Sequence, residues 1–184
     1  MLIIGITGTL GAGKGTIVDY LIKTKGFKHF SVRRFLTDEI KKRNLPLNRD
    51  SMTEVANELR KKHHPAYIVE QLFKQAEKEG GNAIIESIRT PGEVDFLRKK
   101  GNFYLFAVDA KPEIRFQRIK LRSSETDKVD FNTFISNEKR EMKTSDPNKQ
   151  NLSKCIEMSD FKFDNNGDIT ALYRQVDQVL NKII

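Results

Sequence analysis

The sequence predicts an α/β protein: a five-stranded parallel sheet with helices on both faces. Three observations lead there. Apolar runs of strand length alternate with helix-spaced patterns along all 184 residues. The first such run passes through a glycine-rich loop directly into a helix. Residues able to bind a charged ligand follow the strands closely, where parallel α/β sheets hold their ligands.

The first strand is "LIIGI" at residues 2–6, whose β-branched apolar content suits burial on both faces. Ile17, Val18, Leu21 and Ile22 then recur at helical spacing. Between them lies "GTLGAGKGT", Gly8, Thr9, Leu10, Gly11, Ala12, Gly13, Lys14, Gly15 and Thr16. Gly8, Gly13 and Lys14 fit the phosphate-cradling pattern G-x-x-x-x-G-K-[ST], with Gly15 in the last place and Thr16 after it. Glycines let successive N–H groups curl around an anion, and the helix start adds its positive dipole end. Lys14 is placed to reach the outer phosphates and Thr16 to approach a magnesium ion. A bare strand-to-helix turn would explain the glycines but not the lysine. The loop therefore predicts a P-loop NTPase fold of three layers.

The remaining elements follow in turn. "FKHFSV" supplies a second strand and "RRFLTDEIKKR" a helix. Ser51 and Glu54 stand at capping-box spacing, predicting a helix start near Met52. Pro65 breaks that helix and restarts another, which runs to about Glu79 and stops at Gly80 and Gly81. "NAIIESI" reads as the third strand. Thr90, Pro91 and Glu93 open a helix that Gly101 ends. "FYLFAVDA" is the fourth strand, and Pro112 opens a helix carrying Arg115, Arg118 and Arg122. Within the charged stretch 123–143 a helix is expected from about Asp130. "FKFDNNGD" ends a fifth strand in a turn, and Asp168 caps a last helix with Ile169, Leu172, Val176 and Leu180 as its apolar stripe.

Length and composition bound the function. A single domain, 1–184, is expected, with enough chain for a sizeable core. No segment approaches the ~20 apolar residues of a membrane helix. The apolar start is short and lacks the basic leader of a secretory signal. One cysteine, Cys155, excludes an internal disulfide and fits a reducing, cytoplasmic location; it reads as a core residue on a helix. The net charge of +8 suits small polyanionic substrates or nucleic acid. Nucleic acid is disfavoured because the aromatics do not interleave with the basic positions as stacking platforms would. His63 and His64 have no further ligands at metal spacing. The sequence leaves the oligomeric state open.

Arginines gather after the strands. Arg33 and Arg34 follow the second, Glu86 and Arg89 the third, and Arg118 and Arg122 share a helix face after the fourth, with Lys139 and Arg140 beyond. Phosphoryl transfer needs alignment and cations around the equatorial oxygens, and the guanidinium fork suits phosphate. Glu86 ends "AIIE", where a carboxylate holds magnesium through water or pairs with Arg89. The arginines argue for a second, phosphorylated substrate.

These segments resemble the nucleoside monophosphate kinase family of P-loop proteins. "GTLGAGKGT" is close to the adenylate kinase loop, including the Gly15-Thr16 ending. "HFSVRRFL" falls where those enzymes enter the monophosphate site, so Ser31 matches. The family's substrate arginine falls on Thr37, leaving Arg33 or Arg34 to substitute. "ESIR" would place Arg89 at the acceptor phosphate. "RFQRIKLR" would place Arg118 against the ATP base and Arg122 at the transferred phosphoryl, with Arg140 or Lys139 closing from the lid. The resemblance implies a helical acceptor-binding region at 33–80 and a short lid at 123–143, without zinc-type cysteines. The end of the chain is more similar to dephospho-coenzyme A kinases, whose Asn-Asn-Gly turn lies by the adenine, here Asn165 and Asn166. Archaeal adenylate-kinase-related proteins combine both features. The implied activity is ATP- and magnesium-dependent phosphorylation of a nucleoside monophosphate. A hydroxyl kinase of the dephospho-coenzyme A type and a slowly hydrolysing regulatory or nucleic-acid-binding module are the alternatives. The second strand is followed by "SVRRFL" rather than the aspartate a hydroxyl acceptor needs as base.

Overall fold

The computed structural model describes residues 1–122 and 129–184. Its elements, in chain order, are β1 (Ile3–Gly8), α1 (Lys14–Lys25), β2 (Lys28–Ser31), α2 (Val32–Lys42), α3 (Arg49–Lys62), α4 (Tyr67–Glu79) and β3 (Ala83–Glu86). There follow α5 (Pro91–Arg98), β4 (Phe103–Asp109), α6 (Pro112–Arg122), α7 (Phe131–Met142), α8 (Leu152–Glu157), β5 (Phe161–Asp164) and α9 (Ile169–Ile183). The strands form one sheet in the order β2-β3-β1-β4-β5, and every pairing is parallel. The expected five-stranded parallel sheet is thus present.

Strand alternation divides the core into two layers. Ile3 of β1, Ile85 of β3 and Leu105 of β4 face a cluster built with α2, α3, α4, α5 and α8. Their neighbours Ile4, Ile84 and Phe106 face the opposite cluster, with α1 and α9. Gly5 keeps β1 close to its cover: a Cβ there would lie 2.5 Å from Ile88 Cδ1 and 2.7 Å from the Phe103 ring. With β1 central, its carboxyl end and the loop after it stand between the strand pairs, at the crevice where such folds bind ligands.

Local signals place most elements. Thr90 and Glu93 form the expected capping box of α5, with Pro91 in the first turn. Asp130 and Asp168 cap α7 and α9 through their side chains. Two expectations are corrected. The cap of α3 is Asn48, whose side chain accepts from the Ser51 N–H at 2.9 Å, so the helix begins at Arg49 instead of near Met52. Ser51 is buried inside the first turn. Ile169, expected in the apolar stripe of α9, is 53% exposed, while Leu172, Val176 and Leu180 are buried. The short helix α8 has no counterpart in the sequence reading, because six residues are too few to display a period. It carries Cys155, fully buried as expected, where burial pushes the thiol up and makes it inert.

The segment 123–143, expected to form a lid, is described in part. Residues 123–128 lie outside the described residues. The described part is a packed helix: Phe131 and Phe134 of α7 meet Phe116 of α6 with ring centroids 5.2 and 5.6 Å apart. Arg115 of α6 pairs with Glu138 and lies over the Phe134 ring. No helix among the described residues is long and apolar enough to cross a membrane.

Candidate functional site

The loop after β1 is shaped by three glycines at positive φ: Gly8 (139°), Gly11 (79°) and Gly13 (106°). Side chains there would strike fixed atoms. A Cβ on Gly8 would lie 2.1 Å from the Val108 carbonyl oxygen, and one on Gly13 would lie 2.1 Å from Asn165 Nδ2. A Cβ on Gly15 meets nothing within 4 Å, so the loop is open on the side facing the cleft. That cradle fits a phosphate.

Lys14 begins α1 and folds back over the loop, its Nζ donating to the carbonyls of Gly8 (2.9 Å) and Thr9 (2.8 Å). Burial, reinforced by the Arg89 charge, pulls its pKa down to about 7 although Glu86 and Glu141 oppose this. A phosphate would restore the charge.

Side chains behind the loop hold it. Asn165 Nδ2 donates to the Ala12 carbonyl at 2.8 Å, and Arg118 Nη2 donates to the Asn165 carbonyl at 2.8 Å. Thr9 Oγ1 donates to Asp109 at 2.5 Å. Arg115 spans from the Ala110 carbonyl (2.7 Å) to that of Leu10 (3.2 Å), joining loop to α7 through Glu138. The buried Arg118 Nη1 has no hydrogen-bond partner among the described residues, as suits a donor kept for a ligand.

One cleft of about 610 Å³ runs from this loop to the arginines. Leu10, Gly11, Gly13, Lys14, Gly15, Thr16, Arg118 and Asn165 line its nucleotide end. Gly8, Thr9 and Ala12 stand behind them as loop supports. Asn166, expected beside the base, instead accepts from the Lys111 N–H at 2.7 Å and bonds Asp164, closing the turn after β5. The exposed Ile169 offers the apolar surface there.

The other end holds Arg33, Arg49, Arg89, Glu141 and Gln150. Arg34 is exposed and outside the cleft lining, since successive helix positions point about 100° apart. Ser31 also stays out of the lining: it caps α2 by accepting from the Arg34 N–H, and approaches Glu86 Oε2 at 3.4 Å. Arg140 is corrected likewise. It is exposed, pairs with Asp50 at 3.1 Å, and lines a separate cavity of about 250 Å³. Arg122 lines the central cleft.

Glu141 is the residue the sequence reading missed. Its buried carboxylate accepts from Arg49 Nη2 and Arg89 Nη1, both at 2.5 Å. Burial pushes this carboxyl up, but the two guanidinium charges outweigh it and hold it below the ordinary range. Gln150 adds a bond to Arg89 Nη1 at 3.0 Å. No local pattern marks Glu141. Arg49, Thr53, Ala56 and Arg60, spaced four, three and four apart on α3, were legible as one face and do line the cleft.

Glu86, at the end of β3, also faces the cleft. Burial raises its pKa, but the His29 hydrogen bond at 3.3 Å and the Lys14 charge prevail, leaving it below the usual carboxylate range. Arg89 points to Glu141, so of the two readings of Glu86 the pairing with Arg89 is absent, and Glu86 meets His29 instead. Ser87 beside it sits at φ 72°, an uncommon backbone for a non-glycine residue and one found at functional sites. No cluster of three metal-ligating side chains exists among the described residues. Thr16 and Glu86 suit magnesium, which binds through phosphates, water and one or two protein oxygens.

Comparison with known proteins agrees with this geometry. Residues 4–145 match the family described as AAA domain. A UPF0200 protein of Methanococcus maripaludis is 31% identical over 187 aligned positions, covering 100% of this chain and 98% of its own. Among solved structures, a protein of Thermus thermophilus superposes with a TM-score of 0.64 at 19% identity, covering 100% of this chain and 98% of that one. A gluconokinase from Sinorhizobium meliloti and a shikimate kinase from Bacteroides thetaiotaomicron each give 0.59 at 12% identity, covering 98% of this chain and 92% and 97% of theirs. The two are small-molecule kinases by name, and the likeness is one of fold. With its phosphate loop, sheet order and full-length similarity, the chain belongs to the AAA domain family of P-loop proteins and to the UPF0200 proteins.

Proposed function

We propose that the protein is an ATP-dependent phosphotransferase whose acceptor is a nucleoside monophosphate. One observation carries the reading: a single cleft joins the phosphate loop to Arg33, Arg49 and Arg89. Cations at both ends suit two phosphorylated substrates meeting head to head. ATP supplies the phosphoryl group. Lys14 and the loop N–H groups hold its outer phosphates, while Thr16 and Glu86 provide the oxygens for magnesium. Arg122 neutralises charge that develops on the transferred group. Arg89 orients the acceptor, releasing Glu141 to Arg49 as it does so.

An acceptor phosphate attacks as an anion and needs no base, whereas a hydroxyl needs a carboxylate to take its proton. Glu141, bound by two guanidinium groups and held below the usual range, is a poor base. That is why the monophosphate is favoured over hydroxyl acceptors such as those named for the gluconokinase and shikimate kinase neighbours. A cytoplasmic site of action belongs to the same reading.

The test is a coupled assay with ATP, magnesium and a panel of monophosphates, run beside gluconate, shikimate and dephospho-coenzyme A. Transfer to a monophosphate is the expected result. Transfer to a hydroxyl alone would overturn the acceptor assignment. ATP binding with no transfer, accompanied by salt-dependent RNA binding, would replace the kinase with a regulatory module.

A further inference from the structure

Arg60 is only 1% exposed, yet it lines the cleft. Its Nε and Nη2 donate to Oε1 of Glu93 at 3.2 and 2.9 Å. Its third nitrogen, Nη1, is buried and has no hydrogen-bond partner among the described residues. Native chains retain few such orphaned donors, because a buried N–H without an acceptor is destabilising. A buried, unpartnered donor on a residue that lines the cleft suits a ligand oxygen.

Glu93 fixes where that donor stands. It is itself fully buried, and its Oε2 accepts from the backbone N–H groups of Arg89 (2.7 Å) and Thr90 (3.1 Å). The carboxylate that clamps Arg60 therefore also clamps the backbone of Arg89. Two groups on the acceptor wall are held by one brace, as a preorganised binding site requires.

The position along α3 says what the donor reads. Arg49 shares Glu141 with Arg89, which marks the phosphate end of the acceptor site. The Arg60 backbone lies eleven residues on, about 16 Å along the helix axis, and its guanidinium is fixed by Glu93. Between them, Met52 and Ala56 of α3 line the cleft with Val32 and Leu36 of α2. An apolar stretch with a charged donor at its far end suits a flat heterocycle with an oxygen on its edge.

We propose that Arg60 is the residue that selects the acceptor base, donating from Nη1 to a ring carbonyl oxygen. The proposal rests on the monophosphate reading above. Uracil, thymine, hypoxanthine and guanine present such an oxygen. Adenine presents an amino group at the equivalent edge, where donor would meet donor. The preferred acceptors are oxo-base monophosphates, and AMP is disfavoured.

The experiment measures binding and transfer separately on the full chain. Calorimetry with UMP, dTMP, GMP, IMP and AMP, without ATP, gives affinities; the coupled assay gives kcat and KM for each. An oxo-base preference of about 10- to 100-fold over AMP is expected, the span of a hydrogen bond to a charged group. Arg60→Lys keeps a cation opposite Glu93 but removes Nη1, and should collapse that preference towards one while leaving the KM for ATP unchanged. If Arg60→Lys fails to fold, the double variant Arg60→Gln with Glu93→Gln keeps a neutral pair for the same comparison. Preference for AMP in the wild-type protein would overturn the proposal, as would an unchanged preference in a folded Arg60 variant. Transfer without base preference sinks Arg60's role and leaves the kinase standing. Arg60-dependent binding of oxo bases without transfer does the reverse, and binding of no monophosphate sinks both.

Discussion

The two ends of the cleft are built by different means. At the nucleotide end, nearly everything lies within Gly8 to Thr16: glycines at positive φ, a helix start, and a lysine bonded to carbonyls five and six positions away. At the acceptor end, side chains from α2, α3, α7 and the segment after β3 converge, and Glu141 meets Arg89 and Arg49 across 52 and 92 positions. The first end is backbone chemistry, which serves any nucleoside triphosphate because phosphates are alike. The second is side-chain chemistry held by packing, where small changes in helix placement change what fits. Under the proposed function, specificity resides at the arginine end, while the loop end holds a shared reactant.

The largest expected effect breaks the loop end. Lys14→Ala should lower kcat/KM by about 30- to 1,000-fold, from losing ~2–4 kcal/mol of transition-state stabilisation. The midpoint of thermal unfolding should not fall, because Lys14 serves the phosphates and burial, which pulls its pKa down, makes its charge costly to the fold. Near-normal turnover by this variant would refute the phosphate-loop account.

The next breaks the acceptor end alone. Arg89→Ala should raise the acceptor KM or lower transfer by about 10- to 100-fold, as expected for one charge-assisted contact, with ATP affinity unchanged. Calorimetric titration with ATP and steady-state kinetics in the acceptor separate the two. Weakened ATP binding with intact acceptor kinetics would mean that the ends are assigned the wrong way round.

A third test concerns strain in the loop. Gly13→Ala places a Cβ at φ 106° and 2.1 Å from Asn165 Nδ2, displacing the side chain that ties Ala12 to the turn after β5. Nucleotide affinity should fall about tenfold, with a destabilisation of about 1–3 kcal/mol from strain of this kind. Unchanged affinity and stability would show that the loop does not depend on this glycine.

The smallest effect is in pH. Burial lowers the Lys14 pKa to about 7, and a bound phosphate favours its charged form. Binding above pH 7 must then take up a proton, so affinity falls as pH rises, by about fivefold between pH 7 and 8, and levels off well below 7. Calorimetry in buffers of different ionisation enthalpy reads the uptake directly. For folding, the same lysine binds more protons unfolded than folded between about 7 and its ordinary 10.5, so its contribution to stability rises with pH across that window. Affinity flat from pH 7 to 8 would mean that Lys14 keeps its charge in the empty site.

Much of this was legible beforehand, for particular reasons. The caps of α5 and α9 and the start of α7 were read correctly because capping uses residues three positions apart. The cap of α3 was misread because Ser51 and Glu54 imitate a capping box that Asn48 pre-empts. The packing of α7 was not legible, because what holds Phe131 and Phe134 comes from another helix. Their partner Phe116 lies on α6, and Arg115 lies over Phe134.

By itself the sequence determined the parallel sheet, the phosphate loop and the arginines available to it. Strand alternation, helix period and turn chemistry act over a few residues, so a linear reading recovers them. Only the tertiary structure decided which arginines turn inward. It directs Arg33 to the cleft and Arg34 away, pairs Arg140 with Asp50, brings Glu141 between Arg49 and Arg89, and leaves Arg60 with a buried donor to give. Those outcomes depend on how α2, α3 and α7 seat against the sheet, a balance of burial and charge between residues far apart in the chain, which no local pattern encodes.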